Sequence, residues 1–244
     1  MPAMSEPKTR RVVLSTQEIG ESPFFATAAV VTAAALYATL PTRFVVGSSS
    51  GLFSLARWVV PALTLMLLLV LLASVPQGPV ARLLDMPAHR VRVGRRILVL
   101  TMTAIVSAAN GASIVWLVHL LVNGAHTHAN QLLRAGIHMW CLNVLVFALW
   151  FWELDAGGPH ARLASPRKDS DFLFPQQAQP EVARHDWRPL FLDYLYLSFT
   201  NATAFSPTDA MPLSRWAKML MLVEAAASLL LAIMVVARAV NILQ

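Results

Sequence analysis

The sequence predicts an all-α, polytopic integral membrane protein. Of its 244 residues, 57% are hydrophobic and only 13% are charged, whereas soluble domains carry about 25% charged residues. The apolar residues form long runs without sustained strand-type alternation, which is typical of membrane helices. The basic residues gather in the segments between these runs, where they favour contact with anionic lipid. We therefore expect the lipid bilayer to be a partner of this chain, and we expect no nucleic-acid binding.

The N-terminal part predicts four transmembrane helices behind a short tail. Residues 1–23 are polar and lack apolar periodicity, so we expect a cytoplasmic tail before an uncleaved first span, with a cleaved signal peptide as the alternative. Apolar runs of a length suited to a ~30 Å hydrocarbon core follow, at residues 24–46, 52–75, 97–122 and 132–152. Residues 24–152 are thus predicted to form a four-helix transmembrane region.

The connection between the second and third runs indicates the orientation. Residues 76–96 hold five arginines and one aspartate, a net charge of +4. Because strongly basic short loops stay in the cytoplasm, we expect this loop and the N-terminus there. Four spans then return the chain to the cytoplasm at residues 153–188. That connection is hydrophilic and contains several Pro and Gly residues, so we expect an irregular loop.

The last unit, residues 189–244, combines a short hydrophobic segment, a turn-rich stretch and a final apolar helix. Seven of its residues fall, without a gap, on the pore-loop pattern T-x-x-T…G-Y-G-D-x-x-P-x-S-R-W: Thr200, Thr203, Asp209, Pro212, Ser214, Arg215 and Trp216. This unit resembles the two-helix pore module of the potassium-channel family over residues 189–240. The resemblance implies a short pore helix, a filter and an inner transmembrane helix.

The filter departs from the family pattern. Ser206 and Thr208 stand where the family has two glycines, and Pro207 stands where it has tyrosine. Glycine permits backbone conformations that are costly for other residues, and proline fixes its φ at about −65°. We therefore expect a degenerate filter without potassium selectivity. The resemblance implies a wider path for monovalent cations, lined by Thr200, Thr203, Ser206, Thr208 and Asp209. Because one module supplies one wall of a pore, it also implies a homo-oligomer.

Two topologies fit the hydrophobic segment at 190–206. A re-entrant loop would leave the C-terminus outside the cell, whereas a full crossing would return it to the cytoplasm. The 17 residues span about 25 Å as a helix, which suffices where the bilayer thins locally. We favour the full crossing, which gives five firm transmembrane helices plus this segment as a sixth. The expected location is a bacterial plasma membrane, with both termini cytoplasmic.

Glu224 is the only acidic residue within the final apolar run. An acid at this depth is costly unless it is protonated or paired, so it is a candidate functional residue. Its candidate role is gating or proton sensing. A structural hydrogen bond to a neighbouring helix, such as through Asn110 or Asn143, is the interpretation that we favour slightly over it.

The sequence holds no recognisable catalytic or metal-binding constellation. We find no nucleophile–base pair, no phosphate-binding glycine loop and no cluster of metal ligands, and the single cysteine, Cys141, excludes an internal disulfide. We therefore expect no enzyme, no cofactor and no metal site. Three functions remain open: a poorly selective channel-like protein, a non-conducting scaffold or accessory subunit, and a small proton-coupled transporter that uses Glu224.

Overall fold

The computed structural model describes residues 24–41, 44–45, 56–73, 88–123, 128–164, 170–181, 183–184, 187–203 and 209–243. Its helices are α1 (Phe24–Thr39), α2 (Ala56–Ala73), α3 (Ala88–Val122), α4 (Ala129–Leu154), α5 (Pro159–Ala164), α6 (Pro175–Ala178), α7 (Phe191–Thr203) and α8 (Arg215–Leu243). Two short strands, β1 (Phe172–Leu173) and β2 (Met211–Pro212), pair antiparallel with Phe172 opposite Pro212. The predicted tail and residues 76–87 of the basic loop lie outside the described residues.

Three of the described helices are long and apolar enough to cross a membrane. Their candidate spans are Val93–Val122, Asn130–Gly157 and Arg215–Ala237, which match the third, fourth and final predicted spans. The helices α1 and α2 are also apolar, but they are only 16 and 18 residues long. The helix α1 stops at Thr39, close to Pro41, where the proline ring prevents a helix from continuing. Within the described residues, five full-length spans are therefore not seen.

The helix α4 lies at the centre of the bundle. It packs against α1, α3, α7 and α8, and 56% of its candidate span is buried, compared with 28% for α8. The outer face of α8 exposes large apolar side chains, among them Leu222, Val223 and Ile233. An apolar outer face around a better-buried central helix is the arrangement expected of a bundle in lipid.

The described helices run between two ends of the bundle. At one end, Arg96 near the start of α3 lies 3.7 Å from Glu153 near the end of α4. We call this the Asp155 end, after the buried aspartate that follows α4 there. At the opposite end, Gly136 near the start of α4 is in tight contact with Val235 near the end of α8.

The contacts of α1 show at which ends of the bundle α1 begins and α8 ends. Near its start, Ala26 packs in the same apolar cluster as Phe151 and Trp152, at the Asp155 end. Near its C-terminus, Leu40 packs in a second cluster with Leu132 and the last turns of α8. The start of α1 and the end of α8 therefore lie at opposite ends.

The helix α7 enters the bundle from the Asp155 end, and the chain returns to that end before α8 begins. Tyr194, in the first turn of α7, donates a hydrogen bond to Asp155 at 2.5 Å. Pro212 pairs with Phe172, and Trp216 in the first turn of α8 donates to Asp171 at 2.9 Å. The described residues on either side of 204–208 thus lead into the bundle and back to the same end, and we call residues 191–214 the hairpin. This arrangement corresponds to the topology that the sequence analysis did not favour.

The connection at 153–188 is more ordered than its composition predicts. It contains a 3₁₀ turn (Asp155–Gly157), α5, β1 and α6. Phe172 and Phe174 are buried in it and pack edge-on against Tyr194. These aromatic anchors and the partner strand give the described part of this connection more regular structure than the predicted irregular loop.

Candidate functional site

The carboxyl group of Glu224 lies at the junction of α4, α7 and α8, and its side chain is fully buried. Ser198 on α7 lies within hydrogen-bond distance of Glu224 Oε1. Asn201, one helical turn further along α7, donates to Glu224 Oε2 at 2.7 Å and to the carbonyl oxygen of Met221 at 2.9 Å. The intramembrane acid predicted from the sequence is therefore bound by the inward face of the hairpin helix.

The two asparagines that the structural interpretation offered as partners of Glu224 do not contact its carboxyl group. Asn143 on α4 donates to Ser228 Oγ at 3.0 Å and, at 3.4 Å, to the backbone carbonyl of Glu224, not to its carboxylate. Asn110 is buried, and its Oδ1 has no hydrogen-bond partner among the described residues. The partners that the sequence analysis missed, Ser198 and Asn201, occupy positions i and i+3 of α7 and so share one helix face. This i, i+3 spacing of two polar residues is the sequence signal from which they could have been identified as partners of Glu224.

A second polar cluster holds the Asp155 end together. Asp155 is fully buried, and its Oδ1 accepts the backbone N–H of Asp171 at 2.7 Å and that of Phe172 at 3.3 Å. Its Oδ2 accepts the hydroxyl hydrogen of Tyr194. One side chain thereby joins the end of α4, the strand β1 and the start of α7.

Asp171 and Arg162 extend this cluster. Asp171 accepts the backbone N–H of Ala156 at 3.1 Å through Oδ2 and the indole N–H of Trp216 through Oδ1. Arg162 donates to the carbonyl oxygens of Trp152 and Asp155 at 2.7 and 3.0 Å, and its guanidinium lies 5.0 Å from the centre of the Tyr194 ring. Hydrogen bonds from α4, α5, α7 and α8 thus meet at the base of the hairpin. The sequence analysis did not single out any of these contacts.

The predicted path-lining threonines lie on the last two turns of α7. Thr200 is half-buried, and its hydroxyl bonds to the carbonyl of Tyr196 at 2.9 Å. Thr203 is exposed, and its hydroxyl bonds to the carbonyl of Phe199 at 2.8 Å. Such bonds to the preceding turn satisfy a hydroxyl group within the helix itself. Ser206 and Thr208 lie outside the described residues.

Asp209 is exposed beside the base of the hairpin. A cleft of about 100 Å³ brings it together with Thr200, Tyr196 and Asp193, between α6 and α7. Asp193 accepts the backbone N–H of Leu190 at 2.7 Å, which caps the first turn of α7. Two of the predicted site residues, Thr200 and Asp209, are therefore neighbours, whereas Glu224 lies on the other side of α7.

Within the described part of the chain, no group of three or more His, Cys, Asp or Glu side chains is placed to bind a metal ion. The chain matches no family model, no curated protein and no solved structure.

Proposed function

We propose that this chain is a channel-like integral membrane protein in which the hairpin 191–214 and α8 form the conducting unit. The observation that carries the proposal concerns α7, a helix too short to span a membrane. It enters an apolar bundle, and the chain is back at the same end before α8 begins. Because lipid offers no hydrogen bonds, non-helical backbone at membrane depth is tolerated only inside protein or beside water. A re-entrant hairpin is the form that this exception takes in ion pathways.

The depth of α7 supports this role. Phe199 contacts Trp140 edge-on, with ring centres 5.6 Å apart. Trp140 precedes Asp155 by 15 residues, about 22 Å along α4 at ~1.5 Å per residue. The helix α7 therefore ends well inside the bundle. The partial negative charge of a helix C-terminus stabilises a cation in such a position.

Monovalent cations are the proposed permeant species, with little selectivity among them. Residues 204–208 contain no glycine, so a ring of closely stacked carbonyl groups of the potassium-selective kind is not expected. The proposed lining is the hydroxyl groups of Thr200, Thr203, Ser206 and Thr208, with the carboxylate of Asp209 at the mouth.

The conducting form is proposed to be a homo-oligomer. One hairpin supplies only one wall of a pore, so several copies must face each other around an axis. The outer face of α7 exposes a row of side chains at helical spacing, Leu192, Tyr196, Phe199 and Thr203. This row leaves the hairpin accessible to a neighbouring copy or to lipid.

The orientation follows from the basic residues at the Asp155 end. The +4 segment ends at Arg95 and Arg96, and Arg96 lies beside Glu153. By the positive-inside rule the Asp155 end faces the cytoplasm, most simply of a bacterial plasma membrane. In this proposal the N-terminus is cytoplasmic and the end of α8 lies on the other side, which differs from the sequence-based prediction that both termini are cytoplasmic.

The test is ion flux through purified protein in liposomes, followed with a fluorescent indicator. Wild type should conduct several monovalent cations, and Thr203→Val, which removes an exposed hydroxyl at the C-terminus of α7, should reduce the flux. Thr39→Val is the matched control, because Thr39 is also exposed and also bonds to its own preceding turn. Absence of flux for every cation tested would contradict the proposal.

A non-conducting scaffold is the second candidate, and one observation favours it. The hydroxyl groups of Thr200 and Thr203 are already bonded within α7, as side chains that serve only packing would be. If the protein is a scaffold, the same liposome assay should show no flux for wild type or for either variant.

A further inference from the structure

The contacts of Ser198 carry information about the protonation of Glu224. Ser198 Oγ lies 2.8 Å from the carbonyl oxygen of Val144 and also within hydrogen-bond distance of Glu224 Oε1. The Ser198 hydroxyl oxygen therefore has one close oxygen neighbour on α4 and another on α8. Two close oxygen–oxygen contacts are both well satisfied by two hydrogen atoms, whereas a single hydrogen shared between two acceptors makes two bent and weaker bonds.

Ser198 supplies only one of these hydrogens. A serine hydroxyl has a single O–H donor, and a backbone carbonyl oxygen can only accept. If Ser198 donates to Val144, the second hydrogen must come from Glu224. If Glu224 is ionised and takes the serine hydrogen, two oxygen atoms face each other at 2.8 Å with no hydrogen between them, which is a repulsive contact.

The other neighbours of Glu224 fit an uncharged acid. Its Oε2 accepts from the amide of Asn201, as the carbonyl oxygen of a carboxylic acid would. The polar groups around Glu224 come from three helices. They are Asn143 and the Val144 carbonyl on α4, Ser198 and Asn201 on α7, and Ser228 on α8. All of these groups are neutral. Among the described residues no cation contacts the carboxyl group to compensate a buried negative charge, which would be costly.

We propose that Glu224 is a proton-binding site, in which the carboxylic acid donates its hydrogen to Ser198 and Ser198 donates to Val144. The bound ligand is one proton. When it is lost, the carboxyl O–H bond breaks, its electron pair stays on the oxygen and the proton passes to water. Ser198 then turns its hydrogen to the carboxylate and releases Val144, so that this one hydrogen bond between α7 and α4 is lost. Docking of the hairpin helix is in this way tied to protonation, whether or not the protein conducts ions.

The variant that tests this site is Glu224→Gln. A glutamine amide reproduces the proposed pattern, since its N–H donates to Ser198 while its oxygen accepts from Asn201. E224Q should therefore melt at the same temperature as wild type in detergent. Ser198→Ala, which removes the middle oxygen, should lower the melting temperature of wild type and of E224Q alike. A large loss of stability in E224Q would overturn the proposal, because it would show that the site requires a negative charge.

A spectroscopic measurement tests the proton itself. At neutral pH the infrared spectrum of wild type should contain the C=O stretch of a protonated carboxylic acid, and E224Q should lose that band. In Glu153→Gln, which removes the other glutamate that is buried among the described residues, the band should remain and should shift when glutamate is labelled with carbon-13. If E153Q shows no labelled carboxylic-acid band, Glu224 is ionised and the proposal fails, even where E224Q does not fold.

Discussion

Tyr194 and Tyr196 lie two positions apart on α7 and face opposite directions. Tyr194 is buried and bonded to Asp155 at 2.5 Å, whereas Tyr196 is exposed and lies 3.4 Å from Asp209. This contrast separates the anchor of the hairpin from its outer surface. It also provides a matched pair of variants on one helix.

We expect Tyr194→Phe to destabilise the protein by about 1.5–3 kcal/mol, because it removes a buried hydrogen bond to a carboxylate. Tyr196→Phe should change the free energy of unfolding by less than ~0.5 kcal/mol, as is usual for surface substitutions. Thermal unfolding in detergent, followed by circular dichroism, measures both. Equal effects of the two variants would show that the Asp155 contact does not hold the hairpin.

Single residues differ in how far the sequence alone reveals their role. Glu224 stands out because an acid within an apolar run is costly wherever it lies. Its partners do not stand out, because serine and asparagine occur in many membrane helices as packing residues. Asp155 does not stand out in the sequence for a similar reason. It follows a belt of aromatic residues, and nothing in the sequence distinguishes a solvated interfacial aspartate from one that accepts hydrogen bonds from a returning strand.

At the scale of elements, the turn after α4 is the most constrained piece of backbone among the described residues. Ala156, Gly157 and Gly158 have φ values of 50°, 81° and 100°. Gly158 combines its φ with a ψ of 174°, a region that is essentially restricted to glycine. A Cβ atom at Gly158 would also lie 3.0 Å from the carbonyl oxygen of Glu153. This turn directs the chain from α4 into α5.

We expect Gly158→Ala to lower stability by about 1–3 kcal/mol, through backbone strain in the turn. The control is Gly111→Ala in α3, where an added Cβ would meet nothing within 4 Å. Because glycine weakens a helix interior, that change should stabilise the protein by about 0.5–1 kcal/mol. The same melting experiment reports both variants. A G158A protein as stable as wild type would mean that the turn adopts another conformation.

The helices could be predicted from the sequence where hydrophobicity alone determines their position. The long runs that became α3, α4 and α8 exceed a membrane thickness and could be recognised from length. The loop at 153–188 could not, because its order depends on contacts with residues more than fifteen positions away, such as Phe172 with Trp216, whose ring centres lie 6.0 Å apart. The hairpin was ambiguous, since a largely apolar segment of 17 residues suits both a thin crossing and a re-entrant helix, and only its anchors at both ends decide between them.

For the whole molecule, the hairpin predicts a testable topology. In a Cys141→Ser background without other cysteines, single cysteines are placed at three exposed positions: Gln176, Asp209 and Asn123. A membrane-impermeant maleimide should label Asn123→Cys in intact cells. It should label Gln176→Cys and Asp209→Cys only after the membrane is permeabilised, because the hairpin returns to the side from which it entered.

The full-crossing alternative makes a different prediction for one of these positions. If residues 190–206 cross the membrane completely, Asp209→Cys should label together with Asn123→Cys in intact cells. Gln176→Cys shares the cleft at the base of the hairpin with Asp209 and serves as the reference for that side. Labelling of the cysteines at 176 and 209 on opposite sides would rule out the hairpin.

The short length of α7 has a consequence for how the protein is made. Its 13 residues are fewer than the roughly 20 that a membrane-spanning helix needs, and its inward face carries Ser198 and Asn201. Those groups find partners on α4, which leaves the ribosome earlier, and on α8, which leaves it later. The hairpin therefore cannot settle at its final depth while α8 is still being synthesised. The helices α1 to α4 are synthesised before α7, but α7 takes its place last, after the helix that follows it.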